Sequence, residues 1–286
     1  MQGPKKSIRD NVNIDFFMMQ GAGNRIMVAD RRNDDTTPPS ATQLRQLGNA
    51  TTGPGFDQLM WIMPADDSSL HASYRVFNAD GSEVEQCGNG VRCVARVLAR
   101  GTSEHEFRLD GPTGIVEARL LPDDCVSVSM GPPELEPARI PFIADSKSDL
   151  YSLDVDGIEF DVSVLSMGNP HCVLQVADTD TANVAGLGPA VETHERFPAR
   201  TNVGFMAIRG RDAIDLRVHE RGVGETRACG TGACAAVVAG QRLGYLGHTV
   251  TVSLPGGQLV VSWRGGAEPV WLTGNAEFTS EESIDL

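Results

Sequence analysis

Apolar positions along the chain fall into short blocks that alternate with polar residues, or nearly so, and Gly, Pro, Asp or Asn closes each block. A period of two carried by β-branched residues is the mark of a half-buried strand. Strands are therefore predicted in the first half at FFMM (16–19), RIMVAD (25–30), QLMWIM (58–63), YRVF (74–77), GIVEARLL (114–121) and VSVSM (126–130). The second half repeats the pattern at DVSVLSM (161–167), HCVLQV (171–176), GFMAI (204–208), IDLRVHE (214–220), TVTVSL (249–254) and QLVVSW (258–263). Three segments switch to a helical period. SATQLRQLG (40–48) has Ser40 placed as N-cap and Gly48 as terminator. After Cys87, Arg92, Arg96 and Arg100 form a polar stripe opposite Val91, Val94, Ala95 and Leu98, and Gly101 stops the run. After Cys229, ACAAVVAG carries no charge on any face, which predicts a helix buried on nearly all sides.

The last two helices are related. YRVFNADGSEVEQCGNG (74–90) lies against LRVHERGVGETRACGTG (216–232) without a gap, so that Cys87, Gly88 and Gly90 fall on Cys229, Gly230 and Gly232. The offset, 229 − 87 = 142 residues, is half the chain and far beyond a solenoid period. A duplicated domain is the expectation: an α/β (α+β) fold of two pseudo-symmetric domains, each a mainly antiparallel sheet or barrel wrapped around a central helix. The N-terminal lobe is predicted as residues 1–130 plus 275–286 and the C-terminal lobe as 131–274, with GPPELEP (131–137) as the linker.

Composition narrows the partners. A formal charge of −14 with pI about 4.8 argues against nucleic acid and anionic membranes as partners. No apolar run approaches a membrane span, and the N-terminus lacks an apolar signal region, so a cytoplasmic protein is expected. A salt-rich habitat is an alternative source of the acidity. Six dispersed cysteines without a C-x-x-C pair suit neither a disulfide framework nor zinc, and no metal is expected. Pyridoxal phosphate is not expected either. None of the three lysines, Lys5, Lys6 and Lys147, lies near a motif. The glycine-rich stretches fit no nucleotide loop.

A helix entrance has free N–H groups and the positive end of the helix dipole. It receives a carboxylate and lowers the pKa of a thiol placed there. Two such thiols from duplicated lobes suit the inversion of a carbon acid without a cofactor, one thiolate removing a proton from one face while the other thiol protonates the opposite face. The alternative for Cys87 and Cys229 is that of small core residues, which is also how Cys93, Cys125, Cys172 and Cys234 are read.

FNADGSEVEQCGNGVRC (77–93), SMGNPHCV (166–173), HERFPARTNVGFM (194–206), ERGVGETRACGTGACAA (220–236) and LPGGQL (254–259) closely resemble the diaminopimelate epimerases, in the same order and from about Asp15 onward. That resemblance implies a cofactor-free homodimeric enzyme interconverting LL- and meso-diaminopimelate, on the route to lysine and peptidoglycan. It makes Cys87 and Cys229 the acid/base pair, with His171 and Glu220 assisting. It places Gly88, Asn89, Gly230 and Thr231 on the α-carboxylate, and Asn24, Gln58, Asn78, Asn169, Asn202, Glu220 and Arg221 on substrate-contacting positions. By residue type alone the asparagines are also turn residues, Glu220–Arg221 a solvated pair and His171 a turn or core histidine. A site of this kind rejects analogues that lack the distal polar group. Three departures stand out: Arg25-Ile26 in place of the family's usual Asp-Phe, Pro54 in GPGFDQ, and Thr231 for a common serine. The first two bear on the shape of the distal pocket. Other activities kept open are a proline or hydroxyproline racemase, which would not need Glu220 and Arg221, and a non-catalytic dithiol redox or metal-binding protein.

Overall fold

A computed structural model describes residues 13–34, 36–84 and 87–285. Lys5 and Lys6 lie outside them. In the first half the order is β1 (Asn13–Gly21), β2 (Asn24–Asp30), α1 (Ala41–Gly48), β3 (Gln58–Met63), β4 (Ala72–Asn78), β5 (Glu83–Val84), α2 (Gly88–Leu98), β6 (Glu106–Gly111), β7 (Gly114–Leu120) and β8 (Cys125–Ser129). After β9 (Tyr151–Val155) the second half repeats it: β10 (Ile158–Ser166), β11 (Pro170–Gln175), α3 (Val184–Glu192), β12 (Asn202–Gly210), β13 (Ala213–Glu220), β14 (Gly224–Thr226), α4 (Gly230–Arg242), β15 (Thr249–Leu254), β16 (Gly257–Ser262) and β17 (Trp271–Asn275). β18 (Glu277–Asp285) closes the order.

The duplication extends to every strand pair. β2–β3 and β4–β6 are parallel, as are β11–β12 and β13–β15, and the hairpins between them match one for one. Arg75 forks onto Glu83 through two bonds of 2.6 and 2.7 Å, and Arg217 repeats the fork on Glu225 at 2.6 and 2.9 Å. β8 and β17 pair antiparallel and join the two halves, while β18 returns to pair with β1.

Alternation along the strands explains why both faces of each sheet are covered. On β2 and β3, Ile26, Val28, Met60 and Ile62 face the core around α2, while Met27, Ala29, Leu59 and Trp61 pack against Leu44 and Leu47 of α1. In the second half Val173 and Met206 face α4, whereas Cys172, Leu174, Val203 and Phe205 pack against Val184 and Val191 of α3. All twelve predicted strands form, and the charge-free run of α4 has the predicted consequence: every residue from Gly230 to Gly240 is buried. Among the described residues no helix is long and apolar enough to cross a membrane.

Three expectations need correction. Gly48 is the last residue of α1 and not its terminator; Asn49, in extended conformation, ends the helix, while Ser40 caps its start in a reciprocal box with Gln43. The stripe on α2 is not one face, because Arg92 is fully buried. The helix α3, with Gly186, Gly188 and Pro189 inside it, was not expected.

Candidate active site

The entrances of α2 and α4 are built alike. Cys87 (φ −145°, ψ 97°) and Cys229 (φ −127°, ψ 109°) are the N-caps, and each thiol takes the place of the usual capping oxygen. The Gly90 N–H donates to Cys87 Sγ at 3.1 Å and the Gly232 N–H to Cys229 Sγ at 3.4 Å, with Thr231 Oγ1 3.5 Å from the second sulfur. The first residues of the two helices meet across one side chain. A Cβ on Gly88 or on Gly230 would lie 2.9 Å from the same atom, Leu272 Cδ2 of β17. A side chain at either entrance would have to displace this fully buried leucine. Gly88→Ala and Gly230→Ala are each expected to destabilise the protein by about 1–3 kcal/mol through overpacking, read as a lower urea midpoint.

Both cysteines open into one inner cavity of about 90 Å³, with Asn24, Gln58, Gly88, Asn89, Asn169, Glu220, Gly230 and Thr231 also in its wall. It shares Gln58, Asn169 and Glu220 with an outer compartment of about 340 Å³, where Asn78, Asn202 and Arg221 also face. Of the residues singled out from sequence, His171 alone lines neither space. It is buried behind the wall, with Nε2 3.0 Å from Asn169 Oδ1. The amide oxygen accepts there, which assigns the ring proton to Nε2. Burial, and next the charge of Arg221, hold the imidazole down to about 3, so it is neutral at physiological pH.

The family profile of diaminopimelate epimerase matches residues 16–136 and 163–279. The chain belongs to the diaminopimelate epimerase family. Diaminopimelate epimerase of Laribacter hongkongensis is 50% identical over 277 residues, covering 95% of this chain and 99% of the relative. That of Alkalilimnicola ehrlichii is 48% identical over 275 residues, covering 95% and 98%. Among solved structures, a hydroxyproline epimerase from Agrobacterium vitis with bound trans-4-hydroxy-L-proline matches with TM-score 0.68 and 17% identity, over 96% of this chain and 93% of that one. A PhzF-family phenazine biosynthesis protein from Bacillus anthracis matches at 0.67 and 14%, over 96% and 99%. These two share the fold of two pseudo-symmetric lobes.

Two of the three departures from the diaminopimelate epimerase pattern, Arg25-Ile26 and Pro54, fall outside the lining of the cleft. Arg25 donates its backbone N–H to Asp57 Oδ2 at 2.8 Å, Ile26 is buried in the α2 core, and neither they nor Pro54 line the two spaces. Thr231 does line the inner one, with its hydroxyl toward Cys229.

Amide chains order the walls. Asn89 Nδ2 donates to Asn24 Oδ1 at 3.0 Å, and Gln58 Nε2 donates to Asn78 Oδ1 at 3.2 Å. Asn202 accepts the Arg221 N–H at 3.1 Å and donates to the Pro170 carbonyl at 2.8 Å. One residue that the sequence did not single out belongs with them. Glu192, at the C-terminal end of α3, is buried and accepts from the Gly222 N–H at 2.9 Å and from His219 Nε2 at 2.8 Å, with Arg200 3.5 Å away. It thereby holds the turn that follows Glu220 and Arg221. The nearest signal in the sequence is the HERFPAR stretch just after it, which fixes no position for the carboxylate.

Electrostatics of the cleft run against the expectation for helix entrances. Burial pushes the Cys87 thiol up to about 11, although the Gly90 N–H and Arg92 both pull it down. Cys229 goes well above its ordinary value, through burial and then the neighbouring Glu220. Burial likewise raises the Glu220 carboxyl. Desolvation in the closed wall outweighs the helix N–H groups.

Proposed function

We propose that Cys87 and Cys229 are the acid/base pair with which this diaminopimelate epimerase interconverts LL- and meso-diaminopimelate. The observation that carries this is the single inner cavity into which two helix-capping thiols from duplicated lobes open. An α-carboxylate seated on the N–H groups at Gly88-Asn89 and Gly230-Thr231 would hold the α-carbon between the sulfurs. One thiolate takes the α-proton, the opposite thiol delivers its own to the other face, and the pair is left with its charge exchanged; the reverse reaction uses the same groups in reversed roles. Burial raises both thiols and Glu220 adds to the rise of each, while Arg92 opposes it at Cys87; two thiolates in one small cavity repel, so the pair shares one negative charge. The oriented N–H donors stabilise the charge that develops on the carboxylate as the proton leaves.

Glu220, Arg221 and the amides of Asn78 and Asn202 face the outer compartment and supply acceptors and a cation for the distal amine and carboxylate. That composition favours diaminopimelate over a cyclic imino acid, which has no distal charge. His171 would act through Asn169 rather than by touching substrate. The remaining parts of this reading are a cofactor-free mechanism, a homodimer, a cytoplasmic location and a lobe boundary at 130/131 with 275–286 returning to the first lobe. The β1–β18 pairing supports that return.

The deciding experiment is proton–deuterium exchange at the α-carbon in D₂O. LL- or meso-diaminopimelate should acquire deuterium as it epimerises, and absence of exchange with either would end the proposal. Proline and hydroxyproline, offered as substrates in parallel, should not exchange.

A further inference from the structure

The three arginines spaced four apart on α2 do different things. Arg96 pairs with Asp124 and Arg100 with Glu281 at the surface, whereas Arg92 has no exposed area. Arg92 Nε donates to the Asn275 carbonyl at 3.3 Å, and Nη2 donates to Asn89 Oδ1 at 2.9 Å. Nη1 is buried with no partner. Among the described residues no carboxylate pairs with this guanidinium. The ionisable groups that face it are thiols: Cys87 and Cys93 from α2 and its cap, Cys234 from α4 and Cys125 from β8. Glycines leave room for it, since a Cβ on Gly274 would lie 3.2 Å from Cζ and one on Gly21 would lie 3.6 Å from Nη2.

A guanidinium taken out of water without a counter-ion is among the costliest groups a core can hold. Duplication does not account for it, because the matching position in the second lobe, 92 + 142 = 234, is Cys234. One cation therefore lies between two helices whose entrances share one cavity. Its hydrogen bond reaches Asn89, whose amide spans to Asn24, and both line the space that holds the thiols. The missing partner is an anion, and the cavity is where one arrives.

We propose that Arg92 is a positioning residue for epimerisation, aiming Asn89 into the thiol cavity and supplying from below the counter-charge for the anions that gather there, the substrate carboxylate and one thiolate. The part that concerns substrate rests on the epimerase reading; the part that concerns the thiol does not. The groups that face Cys87 are Arg92 and Cys93 from α2, Tyr74 from β4, Glu220 from β13 and Cys229 across the cavity, and Arg92 is the cation among them.

The test uses the full chain with Arg92→Met and Arg92→Lys. Alkylation of Cys87 by iodoacetamide, an uncharged probe, is followed by peptide mass spectrometry across pH, and kcat and KM are measured with meso-diaminopimelate. Arg92→Met should fold, move the alkylation midpoint of Cys87 up by about one pH unit, and raise KM about tenfold or more. Arg92→Lys keeps the charge but cannot fork between Asn89 and Asn275, so the midpoint should stay while KM rises. A folded Arg92→Met with midpoint and KM both at wild-type values overturns the proposal. If Arg92→Met does not fold, Arg92→Lys decides: a retained midpoint with raised KM supports the assignment, and wild-type values of both overturn it. A wild type that alkylates normally but exchanges no α-proton sinks the epimerase reading instead, and the midpoint shift still reports on Arg92.

Discussion

Cys87→Ala and Cys229→Ala should each abolish epimerisation while leaving the protein folded. Each change removes one sulfur from a helix cap, and with it a proton-transfer group whose contribution in an enzyme is about 10²–10⁴-fold. In a two-base inversion the losses have a further signature. The thiol that remains can still remove and return a proton on its own face, so any α-proton exchange left in a variant proceeds without inversion. It should occur with one diastereomer only, and with the opposite one in the other variant. Measuring deuterium incorporation and stereochemistry together separates this from a one-base scheme. Turnover within tenfold of wild type in either variant, or residual exchange with the same diastereomer in both, would refute the opposed-thiol arrangement. The helix-capping bonds from the Gly90 and Gly232 N–H groups are lost as well, a modest cost next to the chemical one.

How far the sequence reaches depends on the range of the interaction. The strands and the two glycine-led helices are legible because alternation and the repeated Cys-Gly-x-Gly step are local. The charge-free run after Cys229 even foretells its burial. β6, with EFRLDG, and β18, with EFTSEESID, carry too many charges for their alternation to register, and β18 is mostly exposed. Arg92 defeats the helical pattern because the glycines that make its chamber, Gly21 and Gly274, lie on strands far away in sequence. Thiol acidity fails for a related reason. The helix entrance is a local feature, whereas the burial that outweighs it, and the charge of Glu220 that adds to it, are set by the tertiary packing. The family resemblance, by contrast, places all but one of the chosen polar residues on the walls of the two spaces. His171 sits one layer behind, where only the fold could put it.

Glu192 is the residue whose loss should damage stability and substrate recognition together. Its carboxylate is buried, and Glu192→Ala leaves the Gly222 N–H and the His219 ring without their acceptor, with Arg200 free to turn to solvent. Breaking a buried charged contact from one side costs about 3–5 kcal/mol, which a urea titration should register as a large drop in midpoint. The functional effect follows from what the carboxylate holds. Glu220 is tied separately to Thr226, but the turn carrying Arg221 is held by Asn202, Glu192 and the Ala199 carbonyl. Once the Glu192 tether is gone, Arg221 is left with the Asn202 amide and the bond from its guanidinium to the Ala199 carbonyl at 3.1 Å, so its place in the outer compartment loosens, KM for diaminopimelate should rise more than kcat falls, and alkylation of Cys87 should stay at the wild-type rate. Glu192→Gln, which keeps the shape, should fall between. The pH dependence gives an independent check. Burial raises the Glu192 carboxyl, yet the bonds from His219 and Gly222 and the charges of His219 and Arg200 bring it below its ordinary value of 4.5. A carboxyl depressed in the folded state stabilises the protein above its unfolded-state pKa and loses that contribution as pH falls through the folded one. Wild-type stability should therefore decline below about pH 4.5 more steeply than that of Glu192→Gln. Parallel acid profiles, or an unchanged KM in a folded Glu192→Ala, would show that the turn is held without Glu192, by Asn202 and the Ala199 carbonyl.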